Sequence, residues 1–294
     1  MANNMNENTL ETLMKERCTV ERDGIFVAKE IADKTVWDKL AIENPTDAVI
    51  SAKNEEDAAR KSEAQITDIK QYLKPGNVLL DLGTGYGRVA KYLLPNFKLG
   101  GYIGVDSSYE MLSLFKQRYN MTEAEQTTPA LFLNADIHTL PLQDKSVDVI
   151  IVCAVFLHNH KSIIEQAMAE VTRVIKPGGT VLVYSSFPRA ATLMGIQGQC
   201  YQALLNLLGR PFKNGPVRFY RHKEIDKLFA DFSEVELRPV GYSALPKTII
   251  GLPRPLELVY RLGFANPINH LLEKITPASL KPYFAVHYDV VAKR

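Results

Sequence analysis

Five short runs of apolar residues constrain this chain most: NVLLDLG (77–83), YIGVD (102–106), ALFLNAD (130–136), VDVIIVCAV (147–155) and TVLVYSS (180–186). None alternates between polar and apolar positions. Between them lie segments with apolar residues three and four apart: GRVAKYLLP, SSYEMLSLFKQRY (107–119) and SIIEQAMAEVTRVI (162–175). Strands that are apolar on both faces belong to a parallel sheet covered on both sides, with right-handed helical crossovers. The fold class is therefore α/β, a doubly wound and mostly parallel sheet. A ligand in such a fold lies beyond the carboxyl ends of the strands, near the topological switch point.

The flanks read differently. Residues 1–30 are polar and read as a mobile arm or loose helix. IADKTVWDKLAI (31–42) and EEDAARKSEAQITDIKQYL (55–73) have helical spacing, and Lys74-Pro75-Gly76 stops the second. Beyond 187, residues 189–208 are apolar and helical in pattern, 221–230 form a short helix, and 233–242 a strand. Residues 243–282 hold six prolines and two apolar helical stretches, and YFAVHYDVVAKR closes as a strand. Two more strands bring the expected sheet to seven. The expected organisation is an arm with cap helices over 1–54, a binding core over 55–187, and a part over 188–294 that completes the sheet. Helical lid insertions fall at about 189–215 and 243–282.

Composition narrows the setting. No apolar run approaches the ~20 residues that span a bilayer, and the polar N-terminus lacks the pattern of a secretory signal. The expected location is cytoplasmic. Cys18, Cys153 and Cys200 form no CxxC pair, so no metal is expected and buried free thiols are. The net charge of +2 is unevenly spread. From residue 189 on, 15 Lys and Arg stand against 8 Asp and Glu, which leaves +7 there and −5 before it. A basic C-terminal third suits an anionic partner or a peripheral contact with a membrane.

Residues 81–88 read DLGTGYGR. Gly83, Gly85 and Gly87 allow a tight turn after the first strand and a close approach to a ligand. A dinucleotide fingerprint needs G-x-G-x-x-G; here the third glycine comes one residue early and Arg88 takes its place. Asp81, ahead of the glycines, repels phosphate but suits an ammonium group. Asp106 and Asp136 end the next two strands. Three strands finishing in aspartate on one sheet edge fit a ligand with an amino group, a ribose and an adenine, without phosphate.

These stretches resemble the class I S-adenosylmethionine (SAM) dependent methyltransferases, in the small-molecule branch that includes quinone-biosynthesis and natural-product enzymes. DLGTGYGR looks like the glycine motif and IGVDSSYEML like the second-strand acid with its helix. NADIHTLPLQDKSVDVIIVCAVFLH looks like strands three and four, and EVTRVIKPGGTVLVY like the following helix, turn and strand. The resemblance covers about residues 60–187 and implies a Rossmann-like methyltransferase fold. It implies that Gly83, Thr84, Gly85 and Gly87 line the methionine and ribose, that Asp81 engages the amino group and that Asp106, followed by Ser107, takes the ribose hydroxyls. It implies that Asp136 and the amide of Ile137 hold the adenine, and that Cys153 and Ala154 lie against the methionine. Tyr86 and Met111 would flank sugar and base. The product would be S-adenosyl-L-homocysteine (SAH).

Methyl transfer is an in-line displacement. The cofactor supplies the methyl, and the protein supplies orientation and, for a hydroxyl or acidic carbon, a base. No covalent nucleophile is needed, so Cys153 has no such role. His158, just past strand four, is the candidate base, ahead of His160. Tyr184 and Ser185, with Ser186, end strand five and are expected to face the acceptor. His287 and Tyr288 read as structural. Trp37 reads as a core or cap residue, with cover over the ligand as the sharper option. No nucleic-acid-binding module accompanies the core. The apolar, proline-punctuated insertions favour a small apolar or amphiphilic acceptor: a quinone, a polyketide or terpenoid, or a lipid. The competing reading is a SAM-binding partner or regulatory protein that does not methylate.

Overall fold

The computed structural model describes residues 10–14, 18–29, 31, 35–43, 55–120, 128–209, 217–246 and 254–294. The remainder of the N-terminal arm, and residues 210–216 and 247–253 of the two insertions, lie outside the described residues.

The core strands form as their apolar runs require: β3 (Val78–Leu82), β4 (Gly101–Asp106), β5 (Ala130–Asn134), β6 (Val147–Cys153) and β7 (Ile175–Pro188). The five are parallel to one another, and β3 lies between β4 and β6. β8 (Glu234–Val240) and β9 (His287–Lys293) add an antiparallel edge. With β1 (Cys18–Arg22) and β2 (Ile25–Ala28), the order is β1-β2-β5-β4-β3-β6-β7-β9-β8. The strand order reverses at β3, so the switch point lies where β3 meets β6.

Among the described residues the sheet has nine strands rather than seven. The two extra strands, β1 and β2, form a hairpin, and β2 pairs in parallel with β5. Part of the arm expected to be mobile or loosely helical is thus built into the sheet. The hairpin has a local cause. Asp23 and Gly24 both take left-handed backbone (φ +53° and +70°), and Asp-Gly between strands is a strong short-range hairpin signal. Leu10 and Ile25 are buried.

Helices cover both faces. On one, α5 (Lys161–Val174) buries Ile164, Ala167, Met168 and Val171 against Leu80, Leu82 and Ile150. On the other, α2 (Glu55–Lys70), α3 (Arg88–Leu93) and α4 (Tyr109–Asn120) set Ile69, Val89, Leu112 and Phe115 against Leu79, Tyr102 and Ile151. Truncating one such buried leucine to alanine costs about 2–5 kcal/mol. α1 (Thr35–Glu43) packs on α4. Past β7 come α6 (Leu193–Leu207), α7 (His222–Leu228), α8 (Arg254–Tyr260) and α9 (Asn266–Ile275), with a π-helical turn joining the last two. Cys153 is buried as expected; Cys200, on α6, is exposed.

Candidate active site

The chain leaves β3 through a loop whose three glycines all have positive φ, +69° at Gly83, +55° at Gly85 and +79° at Gly87. Two of them also lack room for a side chain. A Cβ on Gly83 would lie 2.3 Å from Val155 Cγ2, and one on Gly87 2.2 Å from Phe115 Cδ2. The amides of Gly83 and Thr84 donate to the carbonyl of Val105 at 2.8 and 3.0 Å, which fixes the loop to β4. Gly87 then starts α3.

Arg88, where a dinucleotide loop would carry its third glycine, is buried and turned away from the loop. Its guanidinium donates to Ser62 Oγ and Gln65 Oε1 on α2, each at 2.7 Å. It is a strut between helices.

Asp81 lies beneath the loop. Its Oδ2 accepts from Tyr102 OH at 2.7 Å and Thr84 Oγ1 at 3.0 Å. Burial pushes its carboxyl up to about 6, against the lowering effect of those two bonds. Asp106 stands at the opening and uses both oxygens: Oδ2 accepts from Gly85 N at 2.8 Å and Oδ1 from Ser108 N at 2.9 Å. Ser108 caps α4 by accepting from Met111 N, and its hydroxyl also meets Asp38 of α1.

At the carboxyl edge, beside Asp106, lies a cavity of about 300 Å³. Gly83 and Gly85 form its floor. Asp106, Ser107 and Met111 come from one side, Asp136, Ile137 and His138 from another, and Cys153, Ala154 and Val155 from the end of β6. Trp37, His158, Asn159 and Ile163 complete it. Nine of the thirteen residues expected around the cofactor border this space; Asp81, Thr84, Tyr86 and Gly87 do not. Trp37 stands in that wall.

His158 ends a short 3₁₀ turn (Phe156–His158) that follows β6. Its ring meets Trp37 edge to face, with centroids 5.4 Å apart and planes at 71°. Its Nδ1 has no hydrogen-bond partner among the described residues. Burial lowers its pKa, which keeps the imidazole neutral and able to accept a proton. The Cys153 thiol is pushed up to about 12 by burial, which suits packing and not attack.

Several expected residues lie elsewhere. Tyr184 does not border the cavity. It is buried on the α2 side of the sheet and donates to Asp68 Oδ2 at 2.6 Å. Arg238 also contacts Asp68, at 3.2 Å, so the pair ties α2 to β8. Ser185 borders a second cavity, described below. Ser186 is buried and accepts from Val155 N at 3.2 Å. His160 is exposed and opens α5. Tyr86 is buried against Ala41 and Met111, with the Arg118 guanidinium 4.5 Å above its ring. His138, Val155, Asn159 and Ile163 were not anticipated; the first three follow strand ends, which could have flagged them, and Ile163 lies in the first turn of α5.

Residues 80–183 match the family described as "Methyltransferase domain". The fatty-acid O-methyltransferase of Mycolicibacterium smegmatis is 30% identical over 115 residues, 39% of each chain. The glycine/sarcosine/dimethylglycine N-methyltransferase of Actinopolyspora halophila is 32% identical over 200 residues, 64% of this chain and 32% of its own. This chain thus spans about a third of the length of the curated relatives it matches. A SAM dependent methyltransferase from Archaeoglobus fulgidus shares the fold, at 15% identity and a TM-score of 0.51 over 80% of this chain and 94% of its own. Residues 80–183, the core of this chain, are thus similar to a methyltransferase domain, in a fold that SAM-dependent methyltransferases share.

Proposed function

We propose that this chain transfers a methyl group from SAM to a small apolar or amphiphilic acceptor. The observation that carries the proposal is the cavity at the switch point, where a left-handed glycine loop, two acids from successive strand ends and a neutral histidine converge. With Val155 packed where a side chain would start at Gly83, the loop presents bare backbone along the cavity floor. Asp106 and Asp136 supply acceptors for ribose hydroxyls and an adenine amino group. The residues present therefore fit the cofactor.

In this reading Ala154 and Cys153 lie along the methionine part, and Asp81 polarises the loop from below through Thr84. The cofactor supplies an electrophilic methyl. His158 takes the proton of the acceptor as its new bond forms, at the cavity wall where Trp37 excludes water. Holding two reactants in line contributes roughly 7–11 kcal/mol of barrier lowering, and a placed base about 10²–10⁴-fold.

The C-terminal insertions support the apolar acceptor. Leu204, Leu207 and Leu208 on or beside α6, and Leu256, Val259, Leu262, Phe264 and Ile275 across α8 and α9, are all exposed. With the +7 charge of this third, they support peripheral contact with a membrane holding anionic lipids. No helix among the described residues is long and apolar enough to cross one. The named activity of the fatty-acid relative points the same way, and that of the glycine relative points to a polar acceptor.

The test uses methyl-labelled SAM, the purified chain and an extract of its source. Label in the organic-extractable fraction is the expected outcome. Label in the aqueous or acid-precipitable fraction would overturn the apolar acceptor. Cofactor binding with label in no fraction would make the chain a non-catalytic SAM-binding protein.

A further inference from the structure

A second cavity, of about 390 Å³, lies between α6 and the ends of β7 and β9. Met194, Val217, Phe219 and Val286 give it carbon walls. Its polar groups come from two sides: Ser185 and His287 from the sheet, Gln197 and Tyr201 from one face of α6, a helical turn apart. Over the whole of Leu193–Leu207 the helix carries no charged residue. It can sit this close because residue 198 is glycine: a Cβ there would lie 2.4 Å from Phe219 Cζ.

The two cavities are neighbours by strand register. β6 and β7 are parallel with Cys153 opposite Tyr184, so Ala154 and Ser185 follow side by side, one strand spacing of about 4.8 Å apart. Ala154 borders the first cavity and Ser185 the second. Both hold left-handed backbone, φ +59° and +52°, which is uncommon outside glycine and concentrates at functional sites. Two bonds fix the geometry: Ala154 N donates to Tyr184 O at 2.9 Å, and Ser185 N donates to Asp289 Oδ1 at 2.8 Å.

We propose that the second cavity holds the aliphatic chain of the acceptor, while its methyl-accepting head passes Ala154 and Ser185 into the first. This rests on the methyltransferase reading with an amphiphilic acceptor. At about 30 Å³ per water-sized group, 390 Å³ seats a chain of about a dozen carbons. The wall is predominantly carbon, so each buried methylene tightens binding by roughly three- to four-fold until the space is filled. The cavity then acts as a ruler for chain length.

The experiment titrates the full chain with 1-alkanols of about six to sixteen carbons, below their solubility limits, and separately with SAH. Wild-type affinity is expected to climb three- to four-fold per carbon and level off near a dozen. Met194→Trp and Gln197→Phe, which fill the cavity from its wall and its rim, are expected to weaken binding of the long alkanols at least ten-fold. In whichever of the two keeps the wild-type melting temperature, SAH affinity stays unchanged. Cys200→Ser, on the same helix outside the cavity, should behave as wild type. Affinity independent of chain length, or filled variants that bind long alkanols as wild type does, would overturn the inference. If SAH binds and alkanols do not, the ruler fails and the methyltransferase reading stands. If SAH does not bind wild type, that reading fails first.

Discussion

The glycine-loop side and the C-terminal helical side of this molecule are built on opposite terms. Around β3 to β6 every strand is buried, the loop has no room for side chains at Gly83 and Gly87, and polar groups are tied to backbone. Across α6, α8 and α9 the apolar residues face outward and the cavity is walled by carbon. In the proposed function the contrast follows from what each side must recognise. A fixed ligand with many polar atoms demands fixed partners. A greasy acceptor demands surface and volume, and many sequences supply those.

The sharpest way to break the comparison is at its rigid end. Gly83→Ala forces a side chain into Val155 and into left-handed backbone. SAH binding measured by calorimetry should be lost, with a stability loss of about 1–3 kcal/mol; near-normal affinity would refute the tight-loop argument. Asp106→Ala should weaken SAH by roughly 10²–10³-fold, since hydrogen bonds to a charged group contribute about 1.5–3 kcal/mol each. The circular dichroism spectrum should stay native.

His158→Asn comes next. If the acceptor must lose a proton, kcat should drop by about 10²–10⁴ with SAH affinity unchanged. Because burial lowers the imidazole pKa, wild-type activity should persist below the ordinary histidine value of 6.5 and fall only once the ring protonates. A kcat that survives the substitution would remove the base and leave alignment to do the work.

Asp81→Asn probes the cost of the rigid side. The folded carboxyl titrates at about 6 against 3.8 when free, so the folded state holds that proton more tightly. The stability it contributes is present below about pH 4 and is lost as pH rises to 6. At pH 7 the variant should therefore melt higher than wild type, by up to about 3 kcal/mol at about 1.4 kcal/mol per unit, while SAH binds more weakly. The gain should vanish below pH 4, and equal melting at pH 7 would contradict the burial cost.

The smallest effect belongs to the outward leucines. Leu207→Gln with Ile275→Gln should leave melting and SAH affinity within error, and reduce sedimentation with vesicles containing anionic lipid. Unchanged sedimentation would leave these faces without a membrane.

The same contrast explains what could be read beforehand. The five parallel strands and the glycine loop were legible because their physics is local: unbroken apolar runs, turn residues and acids at strand ends. Tyr184 was misplaced because an apolar run buried on both faces does not say which face a residue takes, and its partner Asp68 is 116 positions away. Trp37 looked structural because nothing local links α1 to the end of β6. The hairpin at 18–28 was overlooked although Asp23-Gly24 was in view, since the surrounding polarity outweighed four residues, Ile25 to Ala28.

That hairpin shields the molecule from its own copies. Without β2, β5 would end the sheet as a fully buried-type strand, ALFLN, with bare amides and carbonyls along one side. Such an edge is a template for joining sheets between molecules. The strand that takes its place at the border carries the charges Glu21 and Arg22, both exposed, and charged side chains on an edge strand oppose its pairing with another sheet. Removing the first thirty residues should thus cost the protein its tolerance of high concentration before it costs the domain its shape.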